Sequence, residues 1–205
     1  MGVAEATPCG PSRGGRTTPR PNEWMEINES VFKTALDHDT EVVSRFVLSA
    51  CSISVGFARL VFGSVPITPP LFAWNTIIRA FTKTSASIES VRLFSQLQRV
   101  ELKPDNFTYP FVLKACGQCS MFGEGGAVHS MIIKVGYDSD RYIGNTLLRM
   151  YAACGAIRLA RRVFDEMPAR DVVSCSSMIA GYVACIVKLS DGLPSVALAE
   201  HRLAI

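Results

Sequence analysis

The chain has 205 residues, of which 48% are apolar and 19% charged, and its mean hydropathy is +0.23. This composition supports one or two folded domains and excludes disorder over most of the length. The 21 lysines and arginines stand against 18 acids, which leaves a net charge of +3. So small a charge does not by itself indicate binding to nucleic acid or to a membrane surface, so any basic surface must be local.

Residues 1–22 differ in kind from the rest of the chain. They contain four prolines, four glycines and three arginines, with Glu5 as the only acid. Such a segment cannot bury apolar surface, which predicts a disordered leader. It is basic, as organelle transit segments are, but it has no amphipathic stretch and few serines, so the transit signal is weak. It favours mitochondrion or chloroplast without deciding between them.

The sequence predicts no membrane span. One uncharged stretch, residues 172–187, has 16 residues and includes three serines and a glycine. A spanning helix needs roughly 20 predominantly apolar residues.

Seven cysteines form an odd set with no secretory signal ahead of them. We interpret them as reduced thiols that serve as small core residues. Cys116 and Cys119 form a lone CxxC pair, and none of the histidines, His38, His129 and His201, lies in a paired-ligand pattern. Because tetrahedral zinc needs two further ligands at matching spacing, we expect no metal and no cofactor.

The chain repeats itself at an offset of 101 residues. Residues 72–81 match 173–182, and residues 32–39 match 133–140. Segments that end in aspartate divide this period into units 71–105, 106–140 and 141–171, of 35, 35 and 31 residues. On either side we predict a unit at 40–70 of the 31-residue kind, a partial unit at 23–39 and a partial unit at 172–187.

Each unit carries two amphipathic helical patterns. Apolar or small residues recur at i, i+3, i+4 and i+7, the spacing of one helix face; the stripes are Trp74, Ile77, Ile78, Phe81; Tyr109, Val112, Leu113, Cys116; Gly144, Leu147, Leu148, Tyr151; and Ala160, Val163, Phe164, Met167. We expect Gly155 and the Gly125–Gly126 pair to break the chain between helices, and Pro104 and Pro168 to follow helix ends. The predicted fold is all-α, a right-handed α-solenoid of helix-turn-helix repeats.

Several phrases of the sequence resemble the plant pentatricopeptide repeat (PPR) family. They include Leu102-Lys-Pro-Asp105, Asn145-Thr-Leu-Leu-Arg-Met-Tyr151 and Ala160-Arg-Arg-Val-Phe-Asp-Glu-Met-Pro168. The alternation of 35, 35 and 31 residues is similar to the PLS subclass, with unit 40–70 as S, 71–105 as P, 106–140 as L and 141–171 as S. The flanking partial units would then be L at 23–39 and P at 172–187.

The resemblance implies a function in binding single-stranded RNA, one base per repeat. In the family the fifth and last residues of a unit select the base; here they are Asn75 with Asp105, Pro110 with Asp140, Asn145 with Asp171, and Ser176 in the last partial unit. An amide can donate to and accept from a base edge, and a carboxylate can orient that amide. Asparagine with aspartate favours pyrimidines in the family, uracil first, whereas Pro110 should discriminate poorly.

The resemblance also assigns the second residue of each unit to the face of the base. These residues are Phe72, Phe107, Tyr142 and Val173; the alternative is that each covers the core of its own hairpin. The residues alone place Arg79, Lys114 and Arg149 four positions after the fifth residues, on the same helix face. Such a file of cations is suited to contact phosphates, although a solvated charged face is an equal alternative.

We expect no enzyme. No histidine is followed two residues later by glutamate, so the zinc-deaminase signature of editing proteins is absent from this chain. The resemblance therefore favours recognition of C-to-U editing sites in organelle RNA, with a deaminase supplied in trans by an editing-complex protein. The alternatives are a protein-interaction scaffold of helical repeats and a non-functional fragment of a longer PPR protein.

The repeat pattern weakens near the C-terminus. At the 101-residue offset Val91 and Phe94 correspond to Gly192 and Ser195, and Pro194 would lie inside a helix. We therefore predict an atypical tail at 188–205, irregular or poorly packed, and a chain whose end departs from the family by truncation.

Overall fold

A computed structural model describes residues 40–65 and 67–190, with side chains through residue 187. The predicted leader at 1–22, the partial unit at 23–39 and the tail from 191 onward lie outside the described residues. Within the described ranges every regular element is an α-helix, which confirms the all-α prediction.

Nine helices follow one another in the described part of the chain. They are α1 (Thr40–Ile53), α2 (Val55–Ser64), α3 (Leu71–Phe81), α4 (Ile88–Arg99), α5 (Thr108–Gln118), α6 (Phe122–Val135), α7 (Arg141–Ala153), α8 (Ile157–Glu166) and α9 (Val172–Ser190). Two helices fall within each of the ranges 40–70, 71–105, 106–140 and 141–171. Helix α9 follows these four ranges and begins the partial unit that starts at residue 172.

The helices form two layers. The odd-numbered helices pack side by side, α1 on α3, α3 on α5, α5 on α7 and α7 on α9. Each even-numbered helix packs against the odd-numbered helix before it. One surface is thus lined by the first helix of every unit, and this surface carries the predicted site.

The predicted apolar stripes form the core between the layers. Ile77, Ile78, Leu113 and Leu148 are fully buried, and Tyr109 is 1% exposed. Aromatic rings join neighbouring units, because Tyr109 lies edge-on to Phe94 of the preceding unit at 6.3 Å between centroids. The hairpins therefore stabilise one another by burying a continuous core.

Most helix ends follow from local sequence. Gly155 has a φ of 80° and separates α7 from α8, and Pro168 follows the end of α8. Gly136, with a φ of 78°, ends α6, since glycine adopts this left-handed conformation at no steric cost.

The prediction for Gly125 and Gly126 was wrong. Both lie inside α6, and the chain turns earlier, at Cys119–Met121, where Ser120 has a φ of 54°. Gly125 is buried against α7: a Cβ placed on it would lie 2.5 Å from Sδ of Met150. This glycine permits close helix packing.

Helix α9 continues through Ser190, three residues beyond the predicted boundary at 187. The first strong helix breakers in the sequence come later, at Gly192 and Pro194. None of the helices in the described ranges is long and apolar enough to cross a membrane.

The thiols of the described residues form no disulfide with one another. Cys116 and Cys154 are buried, and burial raises the pKa of the Cys116 thiol to about 12. Cys175, in contrast, is exposed, so it is not the core residue that we predicted. No cluster of three or more His, Cys, Asp or Glu side chains suited to a metal occurs in the described ranges.

Candidate functional site

A groove of about 710 Å³ runs along the first helices α3, α5 and α7. It brings together eight of the predicted site residues, which line it with other side chains: Arg79, Pro110, Lys114, Tyr142, Asn145, Arg149, Asp171 and Val173. Asn75, Asp105, Asp140, Phe107 and Ser176 are not among its lining residues. Phe72 lines a second cavity, of about 430 Å³, beside α1.

Asn75, Asp105 and Thr108 form the first amide cluster. The Asn75 amide nitrogen Nδ2 donates to the two Asp105 carboxylate oxygens at 3.2 and 3.4 Å. The Thr108 hydroxyl lies 2.7 Å from Oδ1 of Asn75 and 2.8 Å from Oδ1 of Asp105. The predicted pair is thus in contact, and a hydroxyl absent from the prediction completes it.

Asn145, Asp171 and Ser174 form the second amide cluster, with the same arrangement. Asn145 Nδ2 donates to Oδ1 of Asp171 at 3.3 Å. The Ser174 hydroxyl lies 2.6 Å from Oδ1 of Asn145 and 3.0 Å from Oδ1 of Asp171. Arg141 adds an ion pair, with its Nε 3.5 Å from Oδ2 of Asp171.

These contacts favour an ionised Asp171. The backbone N–H of Ser174 is the largest cause that lowers the pKa of the Asp171 carboxyl. The Ser174 hydroxyl, the Asn145 amide and Arg141 lower it further, and partial burial opposes them. A carboxylate that only accepts hydrogen bonds then orients the amide of Asn145.

The unit between the two clusters has no such cluster. Pro110 is buried and offers no amide. The Asp140 carboxylate instead accepts hydrogen bonds from the backbone N–H groups of Tyr142 and Ile143, at 2.8 and 3.0 Å. Ile143 occupies the position that Thr108 and Ser174 hold in the other units. Asp140 therefore caps α7 and holds no side-chain amide.

Ser176 stands apart from both clusters. It is exposed on α9, and its hydroxyl donates to the backbone carbonyl of Val173 at 3.1 Å. The position that would pair with it falls outside the described residues.

The second residues of the units are exposed apolar side chains. Phe72, Phe107, Tyr142 and Val173 are 58%, 65%, 66% and 47% exposed. They precede or begin the first helix of their units and stay outside the hairpin core. Exposed aromatic rings of this kind offer flat faces on which a base can stack.

Several cationic side chains line the groove. Arg79, Lys114 and Arg149 are exposed, and no carboxylate of the described residues forms an ion pair with them. The guanidinium carbon of Arg79 lies 5.8 Å from the centre of the Phe111 ring. Lys83 and Arg141 also line the groove.

Sequence reasoning missed four of these groups. A signal existed for the hydroxyls, because Thr108 and Ser174 each stand three residues after the aspartate of their cluster. A signal existed for the cations too, since Lys83 stands four residues after Arg79 and Arg141 stands four residues before Asn145.

A stack of helical hairpins, each packed on the next through its first helix, defines a helical-repeat protein. The family model of the PPR repeat matches residues 72–101 and 145–172. Pentatricopeptide repeat-containing protein At3g22690 of Arabidopsis thaliana is 35% identical over 165 residues, which are 78% of this chain and 20% of that protein. The chain therefore belongs to the pentatricopeptide repeat family.

Two further similarities accompany these matches. The chloroplastic/mitochondrial Arabidopsis protein At1g59720 is 45% identical over 134 residues, covering 64% of this chain and 21% of that protein. The crystal structure of the pentatricopeptide repeat protein PPR10 from maize aligns with a TM-score of 0.49 and 17% identity, over 83% of this chain and 30% of that one. The chain spans about a fifth of the length of these two Arabidopsis relatives.

Proposed function

We propose that this chain binds single-stranded RNA along its groove, with one base facing each unit. One observation carries the proposal: the amide cluster recurs in two units in the same register, next to the cations that line the groove. A purely structural network gives no reason for Arg79, Lys114 and Arg149, which form no ion pair with the described residues, to lie on the same surface.

The chemistry of the clusters suits a base edge. The carboxylate takes one N–H of the asparagine and the hydroxyl takes one lone pair of its oxygen, which leaves one donor and one acceptor on each amide. Unstacked bases present such donors and acceptors on their Watson–Crick edges. From the family resemblance, Asn75 and Asn145 select pyrimidines, uracil first, and unit 106–140 with Pro110 selects poorly.

The surface formed by the first helices of the units supplies the remaining binding groups. Phe72, Phe107 and Tyr142 provide stacking faces, and each stacked base contributes roughly 1–3 kcal/mol. Arg79, Lys114 and Arg149 neutralise phosphates, which favours affinity without reading sequence.

We further propose that the RNA is an organelle transcript and that binding marks a site for C-to-U editing. The relative named as chloroplastic/mitochondrial supports the compartment, and the P, L and S alternation supports the editing class. The deaminase would then be supplied by another protein of an editing complex.

A gel-shift assay of the full chain tests RNA binding. Short pyrimidine-rich RNA should bind at 50 mM salt and much more weakly at 200 mM, because phosphate contacts release counterions. Asn145→Ser should move the preference toward purines, and Arg149→Ala should weaken binding to all sequences alike. No measurable binding by the folded chain at low salt would contradict the proposal.

A protein-interaction scaffold is the second candidate. One face of α9 favours it, since Ile179, Val183 and Ile186 are exposed at helical spacing, whereas Ile78, the counterpart of Ile179 in α3, is fully buried. A scaffold would show no salt-dependent RNA affinity and no response to Asn145→Ser.

A further inference from the structure

An asparagine amide has two orientations that differ by a half-turn about its last torsion. The half-turn exchanges the carbonyl acceptor and the NH2 donor while the shape stays nearly the same. Cytosine and uracil present different donor and acceptor orders on their Watson–Crick edges. An amide free to turn therefore distinguishes them poorly, so selection needs something that holds one orientation.

The Asp carboxylates hold only one side of each amide. Asp105 and Asp171 accept from Nδ2 of Asn75 and Asn145. The other side is held by the Thr108 and Ser174 hydroxyls, 2.7 and 2.6 Å from the respective Oδ1 atoms. In the turned orientation the asparagine oxygen would face the carboxylate, acceptor against acceptor.

The backbone sets the direction of the hydroxyl proton. The backbone N–H of Asp105 donates to Oγ1 of Thr108 at 3.2 Å, and that of Asp171 donates to Oγ of Ser174 at 3.2 Å. Each hydroxyl thus accepts on one side and has one proton for the other. The nearer partner of each hydroxyl is the asparagine oxygen. The Thr108 and Ser174 hydroxyls lie 2.7 and 2.6 Å from Oδ1 of the asparagines and 2.8 and 3.0 Å from the aspartate carboxylates.

Burial protects this contact from water. Thr108 and Ser174 are both fully buried, whereas the second residues of the units beside them are exposed. A hydroxyl buried in this way meets few competing solvent donors.

The unit without an amide also lacks the hydroxyl. In unit 106–140 the fifth residue is Pro110, and the residue three after Asp140 is Ile143, which is fully buried. The residue three positions after the aspartate is therefore a buried threonine or serine where the fifth residue is Asn75 or Asn145. It is a buried isoleucine where the fifth residue is Pro110.

We propose that Thr108 and Ser174 are positioning residues for base selection: their buried hydroxyls lock the amides of Asn75 and Asn145 in the orientation that distinguishes uracil from cytosine. The proposal rests on the proposed RNA binding. It assigns specificity to a third residue of each reading unit, the residue three positions after the aspartate.

The test uses the full chain with Thr108→Val and Ser174→Ala, which remove only the hydroxyl. Short RNAs that differ by uracil or cytosine at one position at a time give the selectivity at each nucleotide. Each variant should lose about three- to tenfold of uracil-over-cytosine selectivity at one nucleotide, the value of one hydrogen bond. The two affected nucleotides should lie two apart, because one unit separates the clusters.

Matched controls exist on α3 and α7, the helices that carry Asn75 and Asn145. Thr76→Val and Thr146→Val also remove a hydroxyl, but those hydroxyls bond to the backbone carbonyls of Phe72 and Tyr142, both at 2.8 Å. They should leave selectivity unchanged. Thr108→Ser and Ser174→Thr keep the hydroxyl and should keep selectivity.

A gain-of-function pair tests the same idea from the other side. Pro110→Asn alone adds an amide held by Asp140 only, and Pro110→Asn with Ile143→Thr adds the hydroxyl. The double variant should select uracil over cytosine at the nucleotide between the other two, by several-fold more than the single variant.

The outcomes separate the two proposals. A wild-type chain that binds no RNA contradicts the proposed function. A wild-type chain that selects uracil, with Thr108→Val and Ser174→Ala selecting equally well, overturns the positioning role and leaves RNA binding in place. Loss of affinity for all RNAs alike in Thr108→Val and Ser174→Ala, with uracil-over-cytosine selectivity intact, would also overturn it, because a merely structural hydroxyl behaves so.

Discussion

Units 71–105 and 106–140 have the same length and the same two-helix plan, yet their inner faces differ. The first presents Asn75 bonded to Asp105, and the second presents the buried ring of Pro110. Their cores are nevertheless equivalent, since Ile77 and Val112 are both fully buried in corresponding stripes. The apolar stripe that folds a hairpin and the position held by Asn75 or Pro110 belong to separate faces of one helix, so one can change without the other.

The aspartate at the end of each unit connects the two faces. Asp105 and Asp140 both accept from the backbone N–H groups two and three residues later. This contact caps the next helix. Only Asp105 also holds an amide. Capping is therefore the shared role of this position, and orienting an asparagine is added where the fifth residue allows it.

The largest effect on RNA binding should come from the cation that each unit carries four positions after its fifth residue. Arg79→Gln, Lys114→Gln and Arg149→Gln together should flatten the salt dependence of RNA binding by about 2 in log–log slope, at roughly 0.7 per phosphate contact. Affinity should fall for every sequence alike, because phosphates carry no base information. Arg161→Gln with Arg162→Gln, on α8 and paired with Asp165 and Glu166, is the control. A base-dependent loss would contradict the phosphate assignment.

Stacking should be equal in the two units although base selection is not. Phe72→Ala and Phe107→Ala should each weaken RNA binding by roughly 1–3 kcal/mol. Stability should change little, because both rings are mostly exposed. Ile133→Ala, at an exposed position of α6, controls for loss of surface apolar area. If only Phe72→Ala weakened binding, unit 106–140 would not hold a base.

The helices and the two asparagine–aspartate contacts followed from sequence because both depend on spacing. Trp74, Ile77 and Ile78 mark a helix by period alone, and the aspartates mark the unit ends. The hydroxyl contacts did not follow, because a threonine three residues after an aspartate also reads as an ordinary helix start. Gly125 was misjudged for a similar reason: a glycine pair signals a break, and only the packing against Met150 shows a close approach instead.

The two aspartates give a further contrast. Asp140→Ala removes a cap and should cost about 0.5–2 kcal/mol of unfolding free energy without changing base selectivity. Asp105→Ala should cost more and also abolish selectivity at one nucleotide, since Asn75 and Thr108 lose their common partner. Denaturant unfolding and single-position RNA binding measure the two effects. As a control, Asp140→Asn keeps a side-chain acceptor and should recover stability. If Asp140→Ala and Asp105→Ala lost base selectivity equally, the two aspartates would not differ in role.

The smallest predicted effect is on the unfolding free energy and concerns α4 and α6, the second helices of units 71–105 and 106–140. Helix α4 contains no glycine, whereas α6 contains Gly123, Gly125 and Gly126. Gly126→Ala meets no atom within 4 Å and should raise the unfolding free energy by about 0.5–1 kcal/mol, because alanine loses less backbone entropy in a helix. Gly125→Ala gains the same propensity but places its Cβ 2.5 Å from Sδ of Met150, so Met150 must move and the gain should be reduced or reversed. Denaturant unfolding of the two variants side by side measures the cost of that close approach, and an equal gain in both would show that α6 has room against α7.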